Sequence, residues 1–177
     1  MKKYCALMLV LCVVFAFVSC GEDEEVELES YISFTATGGI LEDAVKKYSF
    51  GDNAESYAQQ SGATGAYTLT LKAHKTTAAS SPYITITIPS ASNTWASGTG
   101  TTHPDCTIDV CLDGLPTYSG GVAEFSTETA DVTITFASSV AGTHVEGKFK
   151  ATVKHVTSSH TLELDGTINL VRIANAN

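Results

Sequence analysis

The densest group of side chains that could carry chemistry lies between residues 103 and 113. It contains an imidazole, two thiols and three carboxylates, on His103, Asp105, Cys106, Asp109, Cys111 and Asp113. Thiols and an imidazole would suit a soft metal ion, and carboxylates a hard one. However, every second residue from 106 to 112 is apolar, which predicts an extended strand. Asp105, Asp109 and Cys111 would then be strung out along one face instead of converging, so we predict no metal site.

Cys106 and Cys111 are also candidates for a disulfide bond, and two alternatives stay open for them. In one extended strand they would lie roughly 17 Å apart on opposite faces, at about 3.3 Å per residue. A disulfide needs Cα atoms within about 7 Å, so the chain would have to turn between them. Two thiols in an exported domain nevertheless favour a bridge.

Two aromatic residues in adjacent loops are the candidate ligand-binding residues. The loop at 89–105 holds the chain's one tryptophan, Trp95, among Ser, Thr, Gly and Asn residues, and Tyr118 lies in the next loop. Long loops often carry function, and an aromatic ring among hydroxyl and amide groups suits stacking on a sugar. The alternative interpretation is that Trp95 folds back over one end of the fold, which buries its large apolar area.

His155 and His160 flank a predicted hairpin loop, where we expect solvated polar side chains. Nothing pairs them with a nucleophile in the sequence, and a His–carboxylate pair could form only through the fold. Nucleophile elbows, His-Glu-x-x-His helices, phosphate-binding loops and dinucleotide fingerprints are absent from the sequence. We therefore predict no catalytic residues, no enzyme activity and no bound cofactor.

The elements that must position these residues are predicted from a period of two. Apolar residues alternate with polar ones, many of them threonine, over 67–74, 83–88, 132–136, 145–154 and 161–170, which is typical of half-buried strands. Short polar connections favour antiparallel neighbours. We predict an all-β fold of about seven to nine strands, either an antiparallel β-sandwich or a flattened barrel.

Two segments depart from this alternation, and a third contains a possible turn. Apolar residues at helical spacing predict a short helix near 40–48, with a strand as the alternative. Residues 51–65, rich in Ala, Ser and Gln, are predicted to form a loop. At Gly166 the unbroken alternation favours a β-bulge within one strand over a tight turn.

The first 19 residues have the three parts of an export signal. A basic start is followed by an unbroken apolar run over 6–18 and by the small residue Ser19. This run is shorter than the about 20 residues that a membrane-spanning helix needs. We expect residues 1–19 to be a signal peptide.

The end of this segment, Phe17-Val18-Ser19-Cys20, resembles the bacterial lipobox. The resemblance implies cleavage between Ser19 and Cys20 and covalent lipid on Cys20, the only cofactor we expect. Phe17 and Val18 depart from the usual residues of the pattern, and an ordinary secretory signal with a chance cysteine is the alternative. Two acyl chains hold a protein on a membrane, whereas one does not.

Residues 20–29 are predicted to form an acidic tether. Gly21, and not Asp, follows the cysteine, which by resemblance to enterobacterial lipoproteins implies the outer membrane. The acidic run also resembles the surface-export signal of Bacteroidota lipoproteins, although a solvated charged tether is the alternative. We expect a lipid anchor in the outer membrane, with the cell surface and the periplasm both open as the side that the domain faces.

Residues 30–177 are predicted to form a single all-β domain. A signal peptide, an acidic tether and one such domain together resemble small Bacteroidota-type lipoproteins of unknown function. The segments CGEDEE at 20–25, ITITIP at 84–89, VEGKF at 145–149 and LDGT at 164–167 carry this resemblance. It implies no particular activity.

The charge of the chain restricts its partners. Removal of residues 1–19 takes away two lysines and no carboxylate, so the formal charge changes from −9 to −11. Such a surface disfavours nucleic acid and anionic membrane surfaces. We expect a non-catalytic binding domain for an envelope protein or glycan. The alternative is a structural or accessory subunit of an envelope complex, and an enzyme ranks third.

Overall fold

Ten strands make up most of the structure. The computed structural model describes residues 29–41, 44–78, 80–90, 92, 95, 100–118 and 121–175. The strands are β1 (Tyr31–Thr37), β2 (Lys46–Gly51), β3 (Tyr57–Ala63), β4 (Ala66–His74), β5 (Tyr83–Ser90), β6 (Thr101–His103), β7 (Thr107–Asp113), β8 (Val122–Ala137), β9 (His144–His155) and β10 (Thr161–Val171). Two 3₁₀ helices, Gly39–Leu41 and Pro116–Tyr118, are the only helical segments within the described ranges.

The strands form one antiparallel sheet that curls on itself. Its order is β2-β1-β10-β9-β8-β7-β5-β4-β3, and the short β6 pairs with β8. Arg172, which follows β10, forms a parallel bridge with Ala58 of β3, and the Ile173 amide donates to the Ala58 carbonyl at 2.9 Å. Five strands separate β10 from β3 in the sheet order, so this contact requires strong curvature. The predicted all-β fold is confirmed, in the form of a half-closed barrel.

The apolar residues of the period-two pattern form the inner face of the curled sheet. Ile84, Ile86 and Ile88 of β5 are fully buried, while Thr85 and Thr87 between them point outward and are partly exposed. The same alternation holds in β1, β9 and β10. The apolar inner faces pack together and fill the interior.

Gly166 lies in β10 where Phe34 of β1 and Phe149 of β9 meet. The pairing of β10 with both neighbours continues through Gly166 without a register shift, so the predicted bulge is wrong. The glycine allows a close approach instead. A Cβ at this position would lie 2.6 Å from Phe34 Cβ, from Phe149 Cε1 and from the Ser33 carbonyl oxygen.

The segment predicted as a helix near 40–48 forms a single 3₁₀ turn and then a strand. Tyr48 and Phe50 of β2 both point inward, and their rings lie 5.2 and 5.6 Å from the ring of Phe34. The strand alternative is therefore the correct one over 46–51. Packing against Phe34 of β1 outweighs the local helical spacing. The sequence alone does not reveal this contact.

The segment predicted as a loop at 51–65 contains β3. This strand lacks the apolar alternation because Gln60, which points inward and is only 8% exposed, is polar. Its side-chain oxygen accepts a hydrogen bond from Arg172 Nη2 at 2.9 Å. The partner that makes burial of Gln60 tolerable is 112 residues away, so no local pattern indicates the strand.

Candidate functional site

Tyr118 and the two hairpin histidines converge at one end of the barrel. The Tyr118 ring stacks on the His155 ring, with centroids 4.5 Å apart and planes 27° from parallel. Its hydroxyl lies 3.0 Å from His160 Nδ1 and 3.2 Å from Ser158 Oγ. All four side chains are partly exposed. They form what we call the hairpin cluster: Tyr118, His155, Ser158 and His160.

Two local structures hold the hairpin cluster in place. The loop between β9 and β10 is closed by the His155 amide, which donates to the His160 carbonyl at 2.8 Å. The Val156 amide donates to the Glu124 carbonyl of β8 at 3.1 Å, which fixes the loop against the sheet. Phe125 of β8 lies beneath, with its ring edge-to-face against both Tyr118 and His155.

The side chains of the hairpin cluster carry hydrogen-bonding groups as well as rings. The Thr157 amide donates to His155 Nδ1 at 3.4 Å, and the Tyr118 hydroxyl lies within hydrogen-bond distance of His160 and Ser158. The cluster therefore combines aromatic rings with N–H and O–H groups, a combination that suits recognition of polar ligands.

A cleft of about 460 Å³ lies beside the hairpin cluster. One wall comes from β8 and the other from the end of β9 and its loop. It is lined by Ser126, Thr127, Glu128, Lys154, His155, Val156, Thr157, Ser158 and Ser159. We call it the hairpin cleft. Five of its lining residues carry hydroxyl groups, so its surface can both donate and accept hydrogen bonds.

A β-bulge in β8 shapes the hairpin cleft. The register of β8 on β9 shifts between Thr127 and Thr129, so Glu128 has no opposite residue in β9. The Thr127 hydroxyl donates to the Ile108 carbonyl at 2.8 Å and accepts from the Ile108 amide, which ties the bulge to β7. Bulges redirect side chains next to binding sites. Here the bulge brings Glu128 within 3.9 Å of Lys154 Nζ.

The sequence contained a signal for this bulge. In β8 the inward residues fall at 123 and 125 and then at 132 and 134, a change from odd to even positions. Such a change within one strand requires an extra residue. The strand predicted at 132–136 is thus part of one longer, bulged strand that begins at Val122.

Trp95 lies away from the hairpin cluster and is only 3% exposed. Its indole N–H donates to Gln60 Oε1 at 3.5 Å, and its carbonyl oxygen is 3.1 Å from His103 Nε2. Trp95 and Tyr118 stand near opposite ends of β7, so the structure does not bring the two candidate ligand-binding residues together. Its burial matches the interpretation in which Trp95 folds back.

Cys106 and Cys111 are both free and buried. Cys106 shares the inner side of β7 with Ile108 and Val110, whereas Cys111 points to the opposite face, beside Tyr83. This is the extended-strand alternative, in which the two thiols cannot reach each other. Burial raises the pKa of both thiols. The described residues contain no group of three or more His, Cys, Asp or Glu side chains arranged to hold a metal ion.

His74 is a buried polar residue that sequence analysis missed. Its ring stacks on Tyr83 with centroids 5.5 Å apart, and neither ring nitrogen has a hydrogen-bond partner in the described part of the chain. Burial, followed by the nearby Lys72, lowers the pKa of His74. Two unsatisfied nitrogens in a buried ring are unfavourable, and nothing around His74 gives them a role.

The predicted signal peptide at 1–19 and Cys20 lie outside the described residues, as does all of the tether except Glu29. Within the described ranges, no helix combines the length and apolar character that a membrane crossing needs. No family model, curated protein or solved structure matches this chain.

Proposed function

We propose that this chain is a lipid-anchored binding protein of the bacterial cell envelope. The lipobox-like segment that ends at Cys20 supports the anchor. One observation carries the binding role: Tyr118 and two histidines some forty residues away in the sequence converge beside an open polar cleft. Ligand sites of proteins usually combine apolar or aromatic surface with a few convergent polar groups.

A binding role on the outer surface agrees with the packing of the barrel. Apolar side chains fill the interior, from Ile32 in β1 to Leu170 in β10. A ligand therefore meets the protein at its loops and outer face. The partner that we propose is an envelope glycan or protein, because the formal charge of −9 disfavours polyanions such as nucleic acid.

An accessory subunit is the second candidate, and an exposed apolar group favours it. A second register shift in β8, at Ile134 and Phe136, turns Phe136 outward, so that it is 49% exposed. Val140, in the next loop, is 60% exposed, and Ile173 is 38% exposed. The Gly142 amide of this loop donates to the Arg172 carbonyl at 2.8 Å, which links the loop to the segment holding Ile173. A contiguous patch of exposed apolar side chains marks a protein contact, whereas single exposed residues do not.

Site-specific crosslinking in living cells separates the two candidates. Val156 lies in the hairpin cleft and Val140 among the exposed apolar residues near Phe136. The two are matched positions, with exposures of 55% and 60%. A benzophenone-bearing residue at 156 should capture a macromolecule, and Tyr118→Ala should abolish the capture. Capture at 140 alone would favour the accessory subunit, and no capture at either position would overturn the binding role.

The anchor is tested with a tagged Cys20→Ala variant. We expect the parent protein to partition with membranes and to incorporate labelled palmitate, whereas the variant should do neither. Protease treatment of intact cells then distinguishes the two orientations. Digestion without lysis would mean surface exposure, and protection until lysis would mean the periplasm. An unlabelled parent protein would overturn the anchor.

A further inference from the structure

Lys154 and Glu128 in the hairpin cleft face each other across a gap. Lys154 Nζ and Glu128 Oε1 are 3.9 Å apart, and their side chains are 47% and 43% exposed. This separation is too long for a hydrogen bond. The ammonium group keeps its donors and the carboxylate its acceptors, so both can still bind a third group.

A hydroxyl group fits this gap. An oxygen about 2.8 Å from each charged atom is at an ordinary hydrogen-bond distance, and a separation of 3.9 Å allows that triangle. Such an oxygen accepts from Lys154 and donates to Glu128. Water can take this place, and a ligand hydroxyl that replaces it reproduces both bonds.

The rest of the hairpin cleft suits the same kind of ligand. Ser126 and Ser159 supply hydroxyl groups from opposite walls, and His155 supplies its imidazole ring. Val156, with 55% exposure, supplies an apolar surface. A sugar ring offers hydroxyl groups on its edge and C–H groups on its faces, and this cleft has counterparts for both.

The charges in the cleft favour a neutral ligand. The single positive charge of Lys154 is balanced by Glu128, so neither an anion nor a cation gains a net attraction. The overall charge of −9 further disfavours anions. This argues against a phosphate or an acidic sugar as the group in the gap.

We infer that the hairpin cleft binds a neutral saccharide unit, one hydroxyl of which bridges Lys154 and Glu128. This inference rests on the proposed function and specifies the ligand class for the same site. It makes Lys154 and Glu128 the residues that determine specificity, whereas the hairpin cluster forms the adjoining wall.

Saturation-transfer NMR with the purified domain tests the inference. The probes are glucose, galactose, mannose and N-acetylglucosamine, as methyl glycosides and disaccharides at millimolar concentration, with inorganic phosphate as the anion. We expect at least one saccharide to bind. Lys154→Met should weaken saccharide binding at least about tenfold, because it removes the charged donor. Glu128→Gln should weaken saccharide binding about fivefold, because a neutral amide oxygen replaces the charged acceptor.

Matched controls come from the same outer face of β9. Lys148 and Glu146 are exposed and lie outside the cleft. Lys148→Met and Glu146→Gln should leave the affinity unchanged within about twofold. Circular dichroism of all four variants confirms that the fold is retained.

The outcomes separate this inference from the proposed function. Binding of phosphate in place of sugars would overturn the neutral-saccharide assignment, as would equal losses in the control variants. Absence of saccharide binding together with crosslinking at 156 would overturn the ligand class and leave the binding role standing. Absence of both would overturn the two together.

Discussion

Substitution of Gly166 by alanine tests the packing of the barrel interior where Phe34 and Phe149 meet. The added Cβ would lie 2.6 Å from Phe34 Cβ, Phe149 Cε1 and the Ser33 carbonyl oxygen, whereas ordinary contact begins at 3.4 Å. Overpacking a well-packed core costs roughly 1–3 kcal/mol, and we expect about 3 kcal/mol here. The upper value applies because two of the three atoms belong to or adjoin the backbone of β1, a strand paired on both sides.

Thermal and urea unfolding followed by far-UV circular dichroism measure the effect. A loss of about 3 kcal/mol lowers the Tm of a domain of this size by roughly 6–12 °C. Gly39→Ala is the matched control, because a Cβ there would meet no atom within 4 Å. We expect the control to change stability by no more than about 0.5 kcal/mol.

A second substitution identifies the atoms responsible. Phe149→Leu removes the ring carbon that the new methyl group would meet. The double variant Gly166→Ala/Phe149→Leu should therefore lose less stability than the sum of the single variants, by at least about 0.5 kcal/mol. Additive losses, or a Gly166→Ala protein as stable as the parent, would refute the close packing of the two phenylalanine rings on Gly166.

Three further predictions concern buried residues. Cys106 and Cys111 should react with iodoacetamide only after unfolding, because burial raises the pKa of both thiols; mass spectrometry that finds them bridged, or labelled in the native protein, would contradict this. The pKa of His74 is lowered in the folded protein. As pH falls below the ordinary histidine pKa of 6.5, His74 therefore takes up a proton in the unfolded chain before it does so in the folded protein. The free energy of unfolding should thus decrease as pH drops below 6.5. The urea midpoint should decrease less in His74→Phe than in the parent protein, and an equal decrease in both would disprove the role of His74. Trp95→Ala should cost about 3–5 kcal/mol in urea unfolding, since it removes a large buried side chain, and a loss below about 1 kcal/mol would mean that the ring is not part of the core.

The strands that sequence analysis predicted are those whose own residues carry the pattern. The alternation in β5 and β9 is complete, and a sheet with one apolar face follows directly from it. β3 was missed, and β2 was only the alternative to a helix, because contacts with other parts of the chain stabilise both strands. Phe34 packs on the two aromatic rings of β2, and Arg172 satisfies Gln60 of β3.

The candidate site was only partly accessible from the sequence. Tyr118 was singled out as an aromatic residue in a loop, and His155 and His160 as residues that flank a hairpin. Their contact depends on where the loop after β7 meets the end of β9, which alternation does not encode. The change of phase within β8 was present in the sequence, and it indicates the bulge that turns Glu128 toward Lys154.

The position of β10 in the sheet has a consequence for the order in which the chain can fold. In the described chain, β10 is the strand that pairs the β1–β2 hairpin with the rest of the sheet. Its contacts with β1, such as Thr35 with Asp165, span most of the domain, and contacts so distant in sequence form slowly. During synthesis from the N-terminus, β1 and β2 therefore remain without this pairing partner until β10 has been made. Closure of the barrel thus depends on the last of the ten strands, and a shortened chain that lacks β10 cannot complete the sheet.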